Sequence, residues 1–156
     1  MEGNFKFREL GSDDLAAIFD VRVATWHNDH GRRELTELGI TPESVRELLR
    51  SSHRGWLCES DSQVVGFSMA NQDTGEMWVI AVLKSHEGKG IGKRLLGLAE
   101  DWLFSVGWEE IWLTTDPDET LRAVGFYRRL GWQDWKLEPG GDRFMKKRRS
   151  SLSDEL

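Results

Sequence analysis

The stretch VIAVLKSHEGKGIGKRLL, residues 79–96, constrains this chain more than any other. It opens as an apolar run of strand character and passes through glycines at 88, 90 and 92. It then continues with Ile91, Leu95, Leu98, Ala99 and Trp102 at helical spacing. A strand that enters a helix through such a turn carries no side chains where its backbone N–H groups converge. That nest lies at the positive end of the helix, where an anion such as phosphate is favoured.

The charge around the turn agrees with an anion site. Lys84, His86, Lys89, Lys93 and Arg94 stand there against one acid, Glu87, in a chain whose formal net charge is -6. The plainer reading is a glycine-rich turn with solvated lysines. Two better-known phosphate loops do not fit. A G-x-G-x-x-G fingerprint needs glycine at Lys93 or Leu95, and a Walker loop ending in Gly92-Lys93 needs glycine at Glu87 and Ser or Thr at Arg94.

At 156 residues the chain is expected to form a single domain over 1–149 with a polar tail at 150–156. No run approaches the roughly 20 apolar residues that span a bilayer. MEGNFKFREL lacks the apolar centre of a signal peptide. A lone cysteine, Cys58, excludes an internal disulfide framework, so the cytoplasm is the expected compartment. The acidic balance argues against broad nucleic-acid binding and gives no reason to expect a membrane partner. It either attracts a cationic acceptor or simply serves solubility. The basic run Lys146-Lys147-Arg148-Arg149 reads as a solvated chain end. Most of the eight tryptophans are expected in the core, with one or two walling a ligand site.

Periodicity gives the element order. Phe5-Lys6-Phe7-Arg8 alternates as a strand; Ser12 caps a helix with Leu15, Ile18, Phe19 and Val23 on its apolar face; Thr41 and Pro42 open a second helix. Three strands at 56–59, 64–70 and 77–82 form an antiparallel meander. The long helix after Gly90 ends near Gly107. A strand at 110–115, a helix at 121–130 and a hairpin around Pro139-Gly140-Gly141 complete the chain. This is a mixed α/β (α+β) domain with one sheet.

Glu87-Gly88-Lys89-Gly90-Ile91-Gly92 resembles the coenzyme A loop of the Gcn5-related N-acetyltransferase (GNAT) superfamily, Arg/Gln-x-x-Gly-x-Gly/Ala. Glu87 is the departure. A second landmark follows at the family's usual distance: Ala123-Val124-Gly125-Phe126-Tyr127, then Gly131-Trp132, resembles A-x-x-F-Y-x-x-x-G-F. Thr120 stands where the family often has Asn. The resemblance spans roughly residues 55–137. It implies the GNAT acyl-CoA N-acyltransferase fold, a central mixed sheet with splayed parallel strands flanked by helices. It also implies acetyl-CoA as acetyl donor, an amine acceptor, no metal, and frequent homodimers.

Site residues follow from the same match. Coenzyme A contacts fall to Ile80, Val82, Glu87, Gly88, Lys89, Gly90, Ile91, Gly92, Lys93, Thr120 and Phe126. Tyr127, the one tyrosine in the chain, takes the general-acid position. Glu76 takes the place of the catalytic glutamate of the superfamily's histone acetyltransferases. Its plainer reading is a residue flanking the turn at Gly75; Asp29 and Asp116 are reserve bases. An alkylammonium has a pKa of roughly 10, so some group must accept its proton. Acceptor specificity is expected around residues 22–40, with Trp26, His27, Asp29, His30 and Trp78 as candidate contacts; two histidines and one acid in a loop do not make a metal site. The acceptor reads as a small amine. A protein N-terminus or lysine, or a non-catalytic acyl-CoA sensor, are the alternatives.

Overall fold

A computed structural model describes residues 4–26, 29–116 and 122–150. Seven strands form one sheet: β1 (Phe5–Glu9), β2 (His53–Ser60), β3 (Gln63–Asn71), β4 (Glu76–Val82), β5 (Glu110–Thr115), β6 (Gln133–Leu137) and β7 (Arg143–Arg148), in the order β1-β2-β3-β4-β5-β7-β6. The helices are α1 (Leu15–Ala24), α2 (Gly31–Glu37), α3 (Pro42–Ser51), α4 (Ile91–Ser105) and α5 (Arg122–Arg129).

Strand alternation divides the interior. On β2, Trp56 and Cys58 face the core beneath α4, whereas Leu57 faces the core beneath α1 and α3. The first core is built on Leu95, Leu96, Ala99 and Leu103 of α4, each at most 1% exposed. Each buried leucine contributes about 1.5–3 kcal/mol. The second core gathers Leu15, Ile18 and Phe19 of α1 with Leu35, Val45, Phe67 and Met69.

The meander pairs antiparallel as its alternation requires. The turn from β3 to β4 depends on Gly75, which has φ +78°; a Cβ there would lie 2.9 Å from the Trp108 ring. The Trp108 and Trp112 indoles anchor this turn by donating to the carbonyls of Gln72 at 2.7 Å and Thr74 at 3.0 Å. Pairing slips between Met69 and Ala70, which face Val79 and Met77, so Trp78 is an extra residue on β4. Consequently Trp78 and Val79 both pack towards α1, and alternation resumes with Ile80 on the α4 side.

Between the parallel strands β4 and β5 the register contains one pair, Glu76 with Trp112, backed by Trp112 N–H donating to Gly75 O at 3.2 Å. The strands are tied at their N-terminal ends and part beyond them.

Four expectations need correction. The N-terminal region carries three helices, because GRRELTE folds as α2 with Leu35 inward and Gly31 packed against Trp26. Ser12 is not the cap of α1: Ser12–Asp14 form a 3-10 turn that starts from Gly11, whose N–H donates to Asp14 Oδ2 at 2.8 Å, Asp14 is the residue that caps α1, and Val21 rather than Val23 is buried on that helix. Only Trp56 and Trp132 are fully buried; five tryptophans are half-buried and Trp135 is 46% exposed, since the core of so short a chain cannot enclose eight indoles. The basic run is mostly strand, with Lys147 reaching Glu100 at 2.8 Å and Lys146 reaching Glu110 at 3.8 Å.

Candidate active site

Where β4 and β5 diverge, a cavity of about 430 Å³ opens between the C-terminal half of β4, the glycine turn and α5. It brings together nine residues singled out in the sequence: Ile80, Val82, Glu87, Gly88, Gly90, Gly92, Lys93, Phe126 and Tyr127. Three others join them, His86, Arg122 and Ala123.

The turn has the backbone that its glycines suggest. Gly88 has φ +78° and Gly90 φ +84°, and nothing lies within 4 Å of a Cβ built on either. Left-handed conformation, not space, demands glycine there. Gly90 caps α4, and the first helical bond runs from Arg94 N–H to Gly90 O at 3.1 Å. The amides before it have no intrahelical partner and sit at the positive end of a fifteen-residue helix. Gly92 is under neither constraint: a Cβ there would make ordinary contact, 3.5 Å from Phe126 and 3.7 Å from Val82, so the position would also accept alanine. Ile91 is 1% exposed, so its side chain belongs to the core and only its main chain faces the turn.

Glu87 forms an ion pair at 3.7 Å with Arg122, which opens the described part of α5. Its charge is therefore balanced from the opposite wall, a compensation no local sequence signal announces. An amide cradle at a helix N-terminus, continuous with an apolar slot, fits the diphosphate and pantetheine arm of coenzyme A.

Tyr127 is buried in the wall of this cavity, and burial pushes its phenol up to about 12, opposed by the nearby charge of Arg22. The ring meets Phe126 and Trp132 edge-on, with centroids 5.3 and 6.1 Å away. Trp132 is fixed in turn: its N–H donates to Tyr127 O at 3.0 Å and its indole to Glu100 Oε2 at 2.8 Å. Glu100 also accepts from Lys147 at 2.8 Å. This network ties the end of α5, and with it Tyr127, to α4. The Tyr127 hydroxyl itself has no hydrogen-bond partner among the described residues.

Glu76 lies at the last paired position before β4 and β5 part, half-buried. Desolvation alone raises its carboxyl above the usual range, and among the described residues it has no ion pair.

A second cavity, of about 210 Å³, occupies the other face of β4, beneath α1, α2 and α3. Trp26, Trp78 and Val79 line it with Arg22, which the sequence reading did not single out. The Trp26 indole donates to Glu34 Oε2 at 2.7 Å, and Trp78 meets His53 edge-on at 4.9 Å. Asp29, His30 and Asp116 are exposed. His27 and Thr120 lie outside the described residues. Among the described residues no cluster of three or more His, Cys, Asp or Glu is gathered to hold a metal.

The model of the Acetyltransferase (GNAT) family matches residues 15–132. The chain belongs to that family. It is 30% identical to mycothiol acetyltransferase of Renibacterium salmoninarum over 86% of its own length and 42% of the relative's. Against the Streptomyces griseus protein of that name it is 33% identical, over 83% and 43%. The chain thus spans less than half the length of these relatives. Among solved structures, the PaiA N-acetyltransferase of Thermoplasma acidophilum in complex with coenzyme A has a TM-score of 0.82 at 19% identity, covering 94% of this chain and 99% of that one. An aminoglycoside 6'-acetyltransferase type Ii has a TM-score of 0.73 at 23% identity, covering 92% and 96%. At these identities the two structures establish the fold.

Proposed function

We propose that the chain transfers the acetyl group of acetyl-CoA to a primary amine of a small molecule by direct attack. The observation that carries this reading is the pair of cavities on opposite faces of β4, one at the glycine cradle and one under α1, α2 and α3, next to the point where the sheet parts. At about 210 Å³ the second has room for about seven waters at ~30 Å³ each, hence an acceptor on the order of ten non-hydrogen atoms. Mycothiol and aminoglycosides, in the names of the related proteins, are likewise small molecules.

The thioester supplies an activated carbonyl and a thiolate leaving group. The main chain at Ile80 donates to the developing oxyanion, and that at Val82 holds the pantetheine amide. Glu76, with its carboxyl raised by burial, accepts the ammonium proton directly or through water. Tyr127 stays protonated across the neutral range and returns a proton to the leaving thiolate.

The test is release of free coenzyme A thiol from acetyl-CoA in the presence of a panel of amines. Small amines should give turnover. Turnover confined to peptides makes the chain a protein acetyltransferase, and binding of acetyl-CoA without turnover makes it a sensor.

A further inference from the structure

Arg22 is a cation with no anion paired to it among the described residues. It lies on α1 at the helical spacing of the apolar stripe, four residues after Ile18 and three after Phe19, half-buried in the wall of the 210 Å³ cavity. Its guanidinium rests over the Trp26 ring, 4.5 Å from the centroid. Glu34, the acid nearest to this pair in the hydrogen-bond network, accepts from the Trp26 indole and makes no ion pair with Arg22. Among the described residues no carboxylate pairs with Arg22.

A charge withdrawn from water into an apolar wall is costly unless paired. A planar guanidinium held on an aromatic face retains a fork of N–H donors matched to a carboxylate. Arg22 is also close enough to Tyr127 for its charge to oppose the upward shift of that phenol. Whatever Arg22 binds therefore lies near the reacting centre. The rest of the cavity, with Ile18, Phe19, Leu35, Val45 and Phe67, is apolar.

Within the acetyl-transfer reading on which this rests, we propose that the acceptor is an apolar amino acid: its carboxylate pairs with Arg22, its side chain fills the apolar cavity, and its amine faces the thioester. The net acidity of the whole chain does not predict this. The local cation does.

The experiment compares phenylalanine and leucine with their decarboxylated counterparts, phenethylamine and isoamylamine, in wild type, Arg22→Met and Arg22→Lys. Hydrogen bonds to a charged group are worth about 10–150-fold, so wild-type kcat/KM should favour the amino acids by about that factor. Arg22→Met should bring the ratio to about one, with Arg22→Lys intermediate because it keeps the charge and loses the fork. Equal wild-type rates for acids and plain amines, or a ratio unmoved in Arg22→Met, overturn the proposal and leave acetyl transfer standing. A second measurement, calorimetry of N-acetylphenylalanine and N-acetylphenethylamine on the protein with coenzyme A, separates the two readings. Arg22-dependent binding of the acid without turnover of any amine supports the carboxylate site and refutes the catalytic reading. Failure of the acid to bind better than its neutral analogue refutes the carboxylate site.

Discussion

Glu87 offers a sensitive test of the cradle, because it puts a negative charge beside a proposed diphosphate and is balanced by Arg122 at 3.7 Å. A diphosphate on the amides at 88–92 lies roughly 7 Å from the Glu87 carboxylate, about two Cα–Cα steps away. With an effective dielectric of about 60, one pair of unit charges at that distance interacts by about 0.8 kcal/mol, and two phosphate charges by about 1.6 kcal/mol. A Debye length of about 8 Å at physiological salt reduces this to about 0.7 kcal/mol, whereas one of about 30 Å at 10 mM leaves about 1.3 kcal/mol. Glu87→Gln should therefore tighten acetyl-CoA binding about threefold at physiological salt and about eightfold at low salt. Arg122→Gln should loosen it by similar factors, and the double variant should fall near wild type. Both side chains are largely exposed, at 40% and 64%, so unfolding free energies should move by less than about 0.5 kcal/mol. Calorimetric titration at two salt concentrations reads all three variants. Looser binding in Glu87→Gln, or a salt-independent effect, refutes the placement of the diphosphate.

Three further predictions concern the catalytic groups and the fold. Tyr127→Phe should lower kcat about 100-fold or more while acetyl-CoA affinity changes by less than about twofold; an unchanged kcat removes the phenol from the reaction. Because burial raises the Glu76 carboxyl, the active carboxylate forms only above the ordinary glutamate range, and the acidic limb of kcat/KM should lie there and vanish in Glu76→Gln; a limb that survives assigns the base elsewhere. Asp14 accepts from Arg8 at 2.8 and 2.9 Å and from Gly11 N–H at 2.8 Å, which holds its carboxyl below the usual value of 3.8. Asp14→Asn should cost about 1–2 kcal/mol at neutral pH, discounted for the exposure of Arg8. Since the folded value is depressed, that stabilisation is complete above the unfolded pKa and disappears as pH falls through the folded one, so denaturant midpoints of the two proteins should converge below pH 3.8.

The elements legible in the sequence are those whose signal is local. The glycine turn announces itself because left-handed residues at 88 and 90 leave glycine little competition, and the cap at Thr41 because Ser44 N–H donates to its hydroxyl at 3.1 Å. α4 is equally plain, its apolar stripe meeting one core. α2 was missed for the opposite reason. GRRELTE has a single leucine to bury, and the helix is held by Leu35 in the core and by Gly31 against Trp26, contacts with no local periodicity. The Trp78 bulge is of the same kind: it is defined by β3, not by β4 alone.

The cavity proposed for the acceptor is the least legible part because it assembles residues from α1, α2, α3, β3 and β4. Yet one signal for it was present. In the run Leu15, Ile18, Phe19, Arg22, Trp26, a fixed charge occupies a position at which helical spacing calls for an apolar side chain. A lysine stem can reach water from such a site, but a guanidinium seated on an indole stays where it is. A violated pattern at that position costs stability unless a ligand restores the balance, and a ligand that does so must bring an anion. The glycine cradle needs no such argument, since its amides are oriented by backbone geometry alone. The proposed donor end of this site is thus written in the local backbone, and the proposed acceptor end in an exception to the packing rule.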